Sequence, residues 1–231
     1  MLPRIFINEV LVIDKEILLQ NNSFHYLRNV LRCKIDDEVI FINGKDGEFI
    51  AKIIKIDNRK CLLKLLKQTR GFLKQNFLGL IFAPIQKIDI LIKSATELGV
   101  SDFYPVKTEY TTHGKIERIL PNVIEAVEQC ERLDLPNIHK LQNLKIILDD
   151  IDDNSIILFC EERSGLQKIK LNIDNKKIYC LVGPEGGFSN DEKNMIKSYK
   201  NVLSVTLGDL ILRTETATIS ILSLAKTMYA N

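Results

Sequence analysis

Hydrophobic and polar residues alternate along much of the first 70 positions, which is typical of strands that bury one face. Three segments rich in β-branched residues carry this pattern: RIFI (4–7), EVIFING (38–44) and GEFIAKIIKI (47–56). The turn-forming stretch NGKDG (43–47) connects the last two. Together these segments predict a small β-barrel at the start of the chain.

One segment of this region, SFHYLRNVLR (23–32), has the period of a helix instead. Ser23 is expected to cap its first turn, because a serine hydroxyl accepts a hydrogen bond from a free backbone N–H. Its apolar residues would share one face: Phe24, Leu27, Val30 and Leu31. The polar stretch KQTRGFLKQN (67–76) follows the strands, and we expect two domains, residues 1–72 and 73–231.

Beyond residue 76, short apolar runs alternate with helical patterns, which indicates an α/β fold. Strands are predicted in FLGLIFA (77–83), DFYPV (102–106), SIILFCE (155–161), KIYCLVG (177–183) and VLSVTLG (202–208). Helices are predicted around Ile88, Leu91, Ile92 and Ala95, which share one face before a Gly99 cap, and over 115–133, 189–200 and 214–230. The last helix has apolar residues on more than one face, so we expect the core or a second subunit to cover both sides.

Composition limits the class of protein and the compartment in which it could reside. With 231 residues and 45% hydrophobic content, the chain can bury a core. It contains no apolar segment of the ~18 residues that a membrane span requires and no small-residue cleavage site after its N-terminus. Its five cysteines are widely spaced and include no C-x-x-C pair. These features predict a soluble protein with reduced thiols that resides in the cytoplasm.

The charge is distributed unevenly along the chain. Residues 1–75 contain 14 Lys and Arg against 9 Asp and Glu, whereas the remainder contains 18 against 21. This excess favours the first part for contact with a nucleic-acid backbone. An ordinary lysine-rich surface, or an edge strand protected against aggregation, would produce the same excess.

The segment LVGPEGGFSNDE (181–192) places two glycines, a proline and a carboxylate between a predicted strand and a helix. Ligands of α/β proteins bind at this end of a strand. Ser189 and Glu192 have the spacing of a capping box, so the loop would cover residues 183–188. Neither the P-loop nor the dinucleotide-binding glycine spacing is present. A tight turn without a ligand explains the loop equally well.

A second loop, within TLGDLILRTETATI (206–219), again places a glycine after an apolar strand. Arg213 precedes a helix that we expect a threonine to cap, with Glu215 in its first turn. No histidine, cysteine pair or serine elbow accompanies either loop, so we expect neither a metal site nor an acyl-transfer triad.

Both loop segments resemble the bacterial 16S ribosomal RNA uridine N3-methyltransferases of the SPOUT superfamily. The same resemblance extends to four other segments: KSATELGV (93–100), AVEQCERLDLP (126–136) and the N-terminal PRIFI and HYLRNVLR. The resemblance covers nearly the whole chain. It implies a PUA-like RNA-binding β-barrel followed by an α/β methyltransferase domain with a C-terminal trefoil knot. It also implies S-adenosylmethionine as cofactor, the small ribosomal subunit as partner, a homodimer, and neither metal nor membrane.

Positions that match the family's motifs would bind cofactor and RNA. The implied cofactor residues are Gly183, Pro184, Glu185, Gly186, Gly187, Leu207, Gly208, Leu212, Arg213, Thr214, Thr216 and Ala217. A cationic sulfonium would explain why the loop has a carboxylate and no lysine. The implied RNA-binding residues are Arg4, Arg28, Arg32 and Arg132. Arg28 and Arg32 would face one phosphate track from a single helix.

The sequence leaves the catalytic roles of these residues partly open. Uridine N3 must lose a proton, and Arg213 would stabilise the negative charge that develops or would orient the base. Glu185 and Glu215 are candidate bases, although water could take the proton if positioning dominates. Tyr110 and Ser94 depart from the family's usual arginine and lysine. Two alternatives remain: a methyltransferase of the same fold that acts on a different RNA or position, and an inactive RNA-binding ribosome-assembly module.

Overall fold

The computed structural model describes residues 2–111, 114–161 and 176–228. The chain divides into two compact units. The first comprises Met1–Lys74 and Val127–Leu135, and the second comprises Gln75–Ala126 and Pro136–Asn231. Nothing in the sequence pattern indicated that Val127–Leu135 packs with the first unit. The division after residue 72 into two functional domains stays a prediction.

A five-stranded sheet forms the first unit, in the order β1-β3-β4-β5-β2. Its strands are β1 (Arg4–Phe6), β2 (Glu16–Gln20), β3 (Glu38–Ile42), β4 (Glu48–Ile56) and β5 (Lys60–Arg70). β1 and β3 are parallel, and the other pairs are antiparallel. The long β4–β5 pair shifts register at three places, and such irregularities let a sheet curve.

The pattern predicted β1, β3 and β4 and missed β2 and β5. The missed strands read EILLQ and KCLLKLLKQTR, in which leucine and lysine replace most β-branched residues. Leucine and lysine favour helices in isolation, so local composition gave no strand signal. Both strands nevertheless alternate buried and exposed positions. Pairing within the sheet overrides the local preference.

The predicted helix of this unit differs in form from the expectation. The helix α1 (Asn21–His25) begins before Ser23, which does not cap it, and continues as a π-helical turn, Tyr26–Val30. Phe24 and Leu27 are buried as predicted, whereas Val30 is 59% exposed and Leu31 is 36% exposed. The wider turn changes the angle between successive side chains, so the predicted four-residue apolar face is wrong for these two.

A parallel sheet forms the second unit, in the order β12-β10-β11-β6-β7-β8, with β9 also paired to β7. Its strands are β6 (Leu78–Phe82), β7 (Asp102–Lys107), β8 (Asn137–Ile138), β9 (Gln142–Asn143), β10 (Ile156–Cys160), β11 (Ile178–Val182) and β12 (Val202–Val205). The central strands β6 and β11 are buried at every position. Burial of both faces is the usual state of a parallel sheet, and the α/β prediction is confirmed.

Helices form in the predicted segments of the second unit, and one further helix, Leu144–Asp150, was not predicted. They are α2 (Ile88–Glu97), α3 (Ile119–Gln129, after a 3₁₀ turn at Ile116–Arg118), α4 (Leu144–Asp150), α5 (Asn190–Lys197) and α6 (Thr214–Met228). The predicted apolar face of α2 is buried, and Gly99 follows the helix with φ +94°. Because this φ is strained for other residues, glycine suits the position.

Helix α6 packs against α2 and β11. Its buried residues lie on one face: Thr214, Ala217, Thr218, Ile221, Leu222 and Ala225. Ile219 and Leu224 lie off that face and are 37% and 36% exposed. Cover of the second side therefore stays a prediction. The predicted residues 229 and 230 of this helix lie outside the described residues.

Within residues 2–111, 114–161 and 176–228, no helix combines the length and hydropathy that crossing a bilayer requires. The five cysteines are free thiols. Cys33, Cys61 and Cys180 are buried, and burial raises the pKa of Cys61 to about 11. These thiols are therefore protonated at neutral pH and serve as small apolar core groups.

Candidate functional site

The two glycine loops leave strands of the same parallel sheet. Residues 183–188 follow β11, residues 206–213 follow β12, and β10 lies between these two strands. Since parallel strands end at the same edge, both loops begin there. They line one cavity of about 340 Å³, together with the end of β10 and the start of α6.

Most predicted cofactor residues come together around this cavity: Gly183, Pro184, Glu185, Gly186, Gly187, Leu207, Gly208, Leu212, Thr214 and Ala217. Arg213 and Thr216 are not among the lining residues, and both are exposed. Both loops therefore line the same cavity, and the binding of a cofactor by these residues stays a prediction.

The sequence did not identify several lining residues: Phe159, Cys160, Glu161, Val182, Phe188, Lys193, Leu210 and Ile211. The first three close β10, whose place beside β11 follows from strand order and has no local signal. Lys193 of α5 lines the cavity, so the site contains a lysine as well as the carboxylates of Glu161 and Glu185. Glu161 forms an ion pair with Lys197, with 2.5 Å between Oε1 and Nζ.

The glycines meet two separate geometric demands. Gly187 has φ +69° and Gly208 has φ +119°, values that strain other residues. A Cβ on Gly183 would stand 2.8 Å from the ring of Phe188, and a Cβ on Gly186 would stand 3.1 Å from Cβ of Tyr110. Side chains at these positions would push against neighbours that line or flank the cavity.

Helices α5 and α6 both begin at the cavity edge. The predicted capping box of α5 is confirmed: Glu192 N–H donates to Ser189 Oγ (3.3 Å), and Ser189 N–H donates to the Glu192 carboxylate (3.0 Å). In α6 the expected threonine cap is wrong. Ala217 N–H donates to the Arg213 carbonyl (2.8 Å), which makes Thr214 the first helical residue.

The three candidate catalytic residues occupy different positions. Glu185 is exposed and lines the cavity. Glu215 is half-buried in the first turn of α6 and does not line it. Arg213 is exposed immediately before that helix. The cavity therefore has one candidate base in its wall and one cation outside it.

The four arginines expected to bind RNA fall into two pairs. Arg4 is buried beside Glu48 (2.7 Å), and Arg132 is buried in a bidentate pair with Asp134 (2.7 Å for both contacts). Burial in an ion pair is the arrangement of a structural arginine. Arg28 and Arg32 are exposed.

Arg28 and Arg32 do not lie on one helix, contrary to the expectation. The π-helical turn ends at Val30, and Arg32 has φ +57°. The i,i+4 argument for a shared phosphate track is therefore wrong, because it assumed regular α-helix through residue 32. Contact of these two arginines with RNA stays a prediction.

Glu48 connects strands of the first unit through its carboxylate. Thr69 Oγ1 donates to Oε1 (2.6 Å), while Arg70 Nε donates to Oε2 (3.0 Å) and Arg4 pairs with Oε2. Desolvation raises the pKa of Glu48, but the bonds from Arg70, Thr69 and Arg4 outweigh it and lower the pKa to about 2. The group is therefore charged at neutral pH.

Among the described residues, no three or more His, Cys, Asp or Glu side chains form a group that could hold a metal ion. The cavity's polar groups are backbone amides and the side chains of Cys160, Glu161, Glu185, Lys193 and Thr214. Backbone groups beside apolar side chains are typical of pockets for small organic ligands.

Two family models match the chain. One described as an RNA methyltransferase domain covers residues 74–226, and one described as an RNA methyltransferase PUA domain covers residues 19–66. These matches assign the parallel-sheet unit, with its cavity at the carboxyl edge, to the RNA methyltransferase domains. They assign the strand-rich unit before it to the PUA-like domains. The expected order, a PUA-like domain followed by an α/β methyltransferase domain, is confirmed. The SPOUT superfamily and the C-terminal trefoil knot stay predictions.

Two relatives bear the name ribosomal RNA small subunit methyltransferase E. The protein of Rickettsia conorii is 37% identical over 94% of this chain and 92% of its own length. That of Buchnera aphidicola subsp. Acyrthosiphon pisum is 30% identical over 100% of this chain and 95% of its own. The chain belongs to the family of ribosomal RNA small subunit methyltransferases E.

A solved structure shares the fold. It is the ribosomal RNA small subunit methyltransferase E of Neisseria gonorrhoeae bound to S-adenosyl methionine, with a TM-score of 0.89 and 24% identity. The match covers 99% of this chain and 98% of that one. Both units of the present chain therefore have counterparts in that protein.

Proposed function

We propose that this protein transfers a methyl group from S-adenosylmethionine to N3 of a uridine in the 16S RNA of the small ribosomal subunit. The observation that carries the proposal is the convergence of two glycine loops on one cavity in a chain of this family. The relatives' name specifies the RNA, and the Neisseria gonorrhoeae protein binds S-adenosyl methionine. Our assignment of uridine N3 rests on the motif resemblance.

The cavity's chemistry fits this cofactor. Its volume of about 340 Å³ lies at the lower end of the range for small-molecule pockets. Residues 183–187 would present backbone donors and acceptors to the adenosine, while Leu207 and Leu212 would supply apolar contacts. When bound, the cofactor supplies an electrophilic methyl group on a sulfonium. Glu185 would lie near this cation, where a carboxylate is favourable.

The chain's own residues would then manage the charge and the proton of the target base. Arg213, exposed beside the cavity, would orient the uridine and stabilise the negative charge that develops on its ring. Glu185 and Glu215 are the candidates to accept the N3 proton, and Glu185 lines the cavity. Positioning with water as the acceptor is the competing mechanism for this step.

The PUA-like unit would bind the RNA backbone. We assign Arg28 and Arg32 to this contact because both are exposed in a region with excess positive charge. Arg4 and Arg132 would instead hold the sheet and the 127–135 segment in shape through their carboxylate partners. We further propose that the protein forms a homodimer through the exposed side of α6. Its C-terminal segment would form a trefoil knot, and the protein would reside in the cytoplasm with its ribosomal substrate.

The deciding experiment maps modified uridines in 16S RNA by mass spectrometry. Cells with the gene are expected to contain one N3-methyluridine that disappears on deletion and returns when the wild-type gene is restored. Unchanged N3-methyluridine after deletion, with loss of another methylation, would assign the enzyme to a different position. Calorimetric titration with S-adenosylmethionine tests the inactive-module alternative, which predicts no binding.

A further inference from the structure

Tyr110 lies against the glycine loop without lining the cavity. Its side chain is 46% exposed, and a Cβ built on Gly186 would stand 3.1 Å from Tyr110 Cβ. Gly186 itself lines the cavity. Tyr110 belongs to residues 108–111, which follow β7 at the same carboxyl edge of the sheet as the glycine loops. An exposed aromatic ring is thus placed next to the donor pocket.

Contacts other than the tyrosine ring hold this short segment. Thr108 N–H donates to Thr111 Oγ1 (2.8 Å), and Thr111 N–H donates to the Thr108 carbonyl (3.2 Å). Glu109 N–H donates to Glu192 Oε1 (2.9 Å). The backbone position of Tyr110 is therefore determined by its neighbours, and the ring remains available for another contact.

We propose that the ring of Tyr110 is the platform on which the target uridine stacks during methyl transfer. An enzyme that modifies a ring atom must take the base out of its stack, and an aromatic side chain replaces the lost stacking. Such a platform must adjoin the methyl donor, as Tyr110 adjoins Gly186. This inference rests on the proposed function and adds a positioning residue for its substrate.

Three variants separate stacking from simple packing. Tyr110→Phe keeps the ring, Tyr110→Leu keeps an apolar side chain without a ring, and Tyr110→Ala removes both. The substrate is small subunits purified from cells that lack the gene. We expect Tyr110→Phe to stay within about twofold of wild type, and Tyr110→Leu and Tyr110→Ala to raise KM for subunits by about 10- to 100-fold. Calorimetric affinity for S-adenosylmethionine should be unchanged in all three.

Two results would overturn the inference. A wild-type KM in Tyr110→Leu would show that no ring is needed. A parallel loss of cofactor affinity would show that Tyr110 only supports the glycine loop. Absence of methyl transfer by the wild-type protein would instead count against the proposed function, so the two failures are distinguishable.

A readout independent of activity is photocrosslinking. Small subunits assembled on 16S RNA that contains 5-iodouridine are irradiated with the protein, and the linked peptide is identified by mass spectrometry. We expect the link at Tyr110 and its loss in Tyr110→Leu. Links confined to other peptides of the second unit would contradict the assignment.

Discussion

Glu192 accepts a hydrogen bond from the backbone N–H of Glu109, with 2.9 Å between Oε1 and the nitrogen. Its other carboxylate oxygen accepts from Ser189 N–H and completes the capping box of α5. One side chain therefore joins the segment after β7 to the helix that follows the glycine loop. The capping box was predictable from the spacing of Ser189 and Glu192. The bond to Glu109 depends on β7 and β11 ending at the same edge of the sheet.

Removal of this double contact should loosen the cavity wall. We expect Glu192→Ala to lower the free energy of unfolding by about 1–2 kcal/mol, because the hydrogen bonds that the carboxylate accepts from Ser189 N–H and Glu109 N–H are both lost. Cofactor affinity should fall as well. Glu192→Gln keeps one oxygen acceptor and should lose less. Urea denaturation measures the loss of stability, and calorimetric titration measures the loss of cofactor affinity. Equal losses in Glu192→Ala and Glu192→Gln would show that the carboxylate's hydrogen bonds do not support the cavity wall.

Gly208 and Gly99 form a matched pair for testing the second glycine loop. Both have positive φ, and a Cβ on either would meet no atom within 4 Å. Alanine at either position should therefore cost a similar strain, about 1–3 kcal/mol of stability. Only Gly208 lines the cavity. We expect Gly208→Ala alone to weaken S-adenosylmethionine binding by calorimetry, and equal affinities in the two variants would argue against the assigned pocket.

Glu48 should make the stability of the protein depend on pH in acid. Its pKa falls from 4.5 to about 2 on folding, so its contribution is complete above 4.5 and is lost as the pH falls through 2. The full contribution is about 3 kcal/mol. We expect the gap in unfolding free energy between wild type and Glu48→Gln to narrow by about 1.4 kcal/mol per pH unit below 4.5. Urea denaturation at pH 7, 4 and 3 checks this, and a constant gap would refute it.

Arg213 is expected to act on the substrate more than on the cofactor, because it is exposed and does not line the cavity. Arg213→Ala should reduce kcat by about 100-fold or more, as removal of a charge-stabilising group does, with little change in cofactor affinity. Arg213→Lys, which keeps the charge, should retain part of the rate. Equal losses of turnover and cofactor affinity would remove the proposed role.

Arg28 and Arg32 should contribute to RNA binding through charge. Replacing each with Gln should weaken binding to small subunits and reduce the slope of log affinity against log salt by about 1 per residue. Lys200→Gln is the control, because this exposed lysine precedes β12 at the amino edge of the sheet, opposite the cavity. A filter-binding salt series measures the slopes, and identical slopes in all variants would exclude these arginines from the interface.

Much of the second unit could be predicted because its signals are local. The S-x-x-E spacing at Ser189 determines where α5 begins, and the periodic apolar residues of α2 determine which face is buried. The positive-φ positions of the two loops, Gly187 and Gly208, are glycines in the sequence, whereas Arg32 shows that other residues also adopt positive φ in this chain. These features depend on residues within one or two turns of each other.

Other features needed the whole fold. Arg4 reads as a surface cation, yet Glu48, more than 40 residues away, holds it in the interior. Leu210 and Ile211 read as buried residues, yet they are 82% and 63% exposed and line the cavity. Charge and hydropathy of a residue do not reveal which distant side chain will compensate or cover it.

The sequence by itself determined most of the alternation of strands and helices in the second unit, the start of α5 at Ser189, and the glycines of the two loops, because each follows from backbone sterics and hydrogen bonds between near neighbours. Only the tertiary structure decided that β10 lies between β11 and β12, that Tyr110 lies beside Gly186, and that Arg4 is buried while Arg28 is not. These features depend on the free energy gained when surfaces that are distant in the sequence are buried against each other. No single stretch of sequence encodes that free energy.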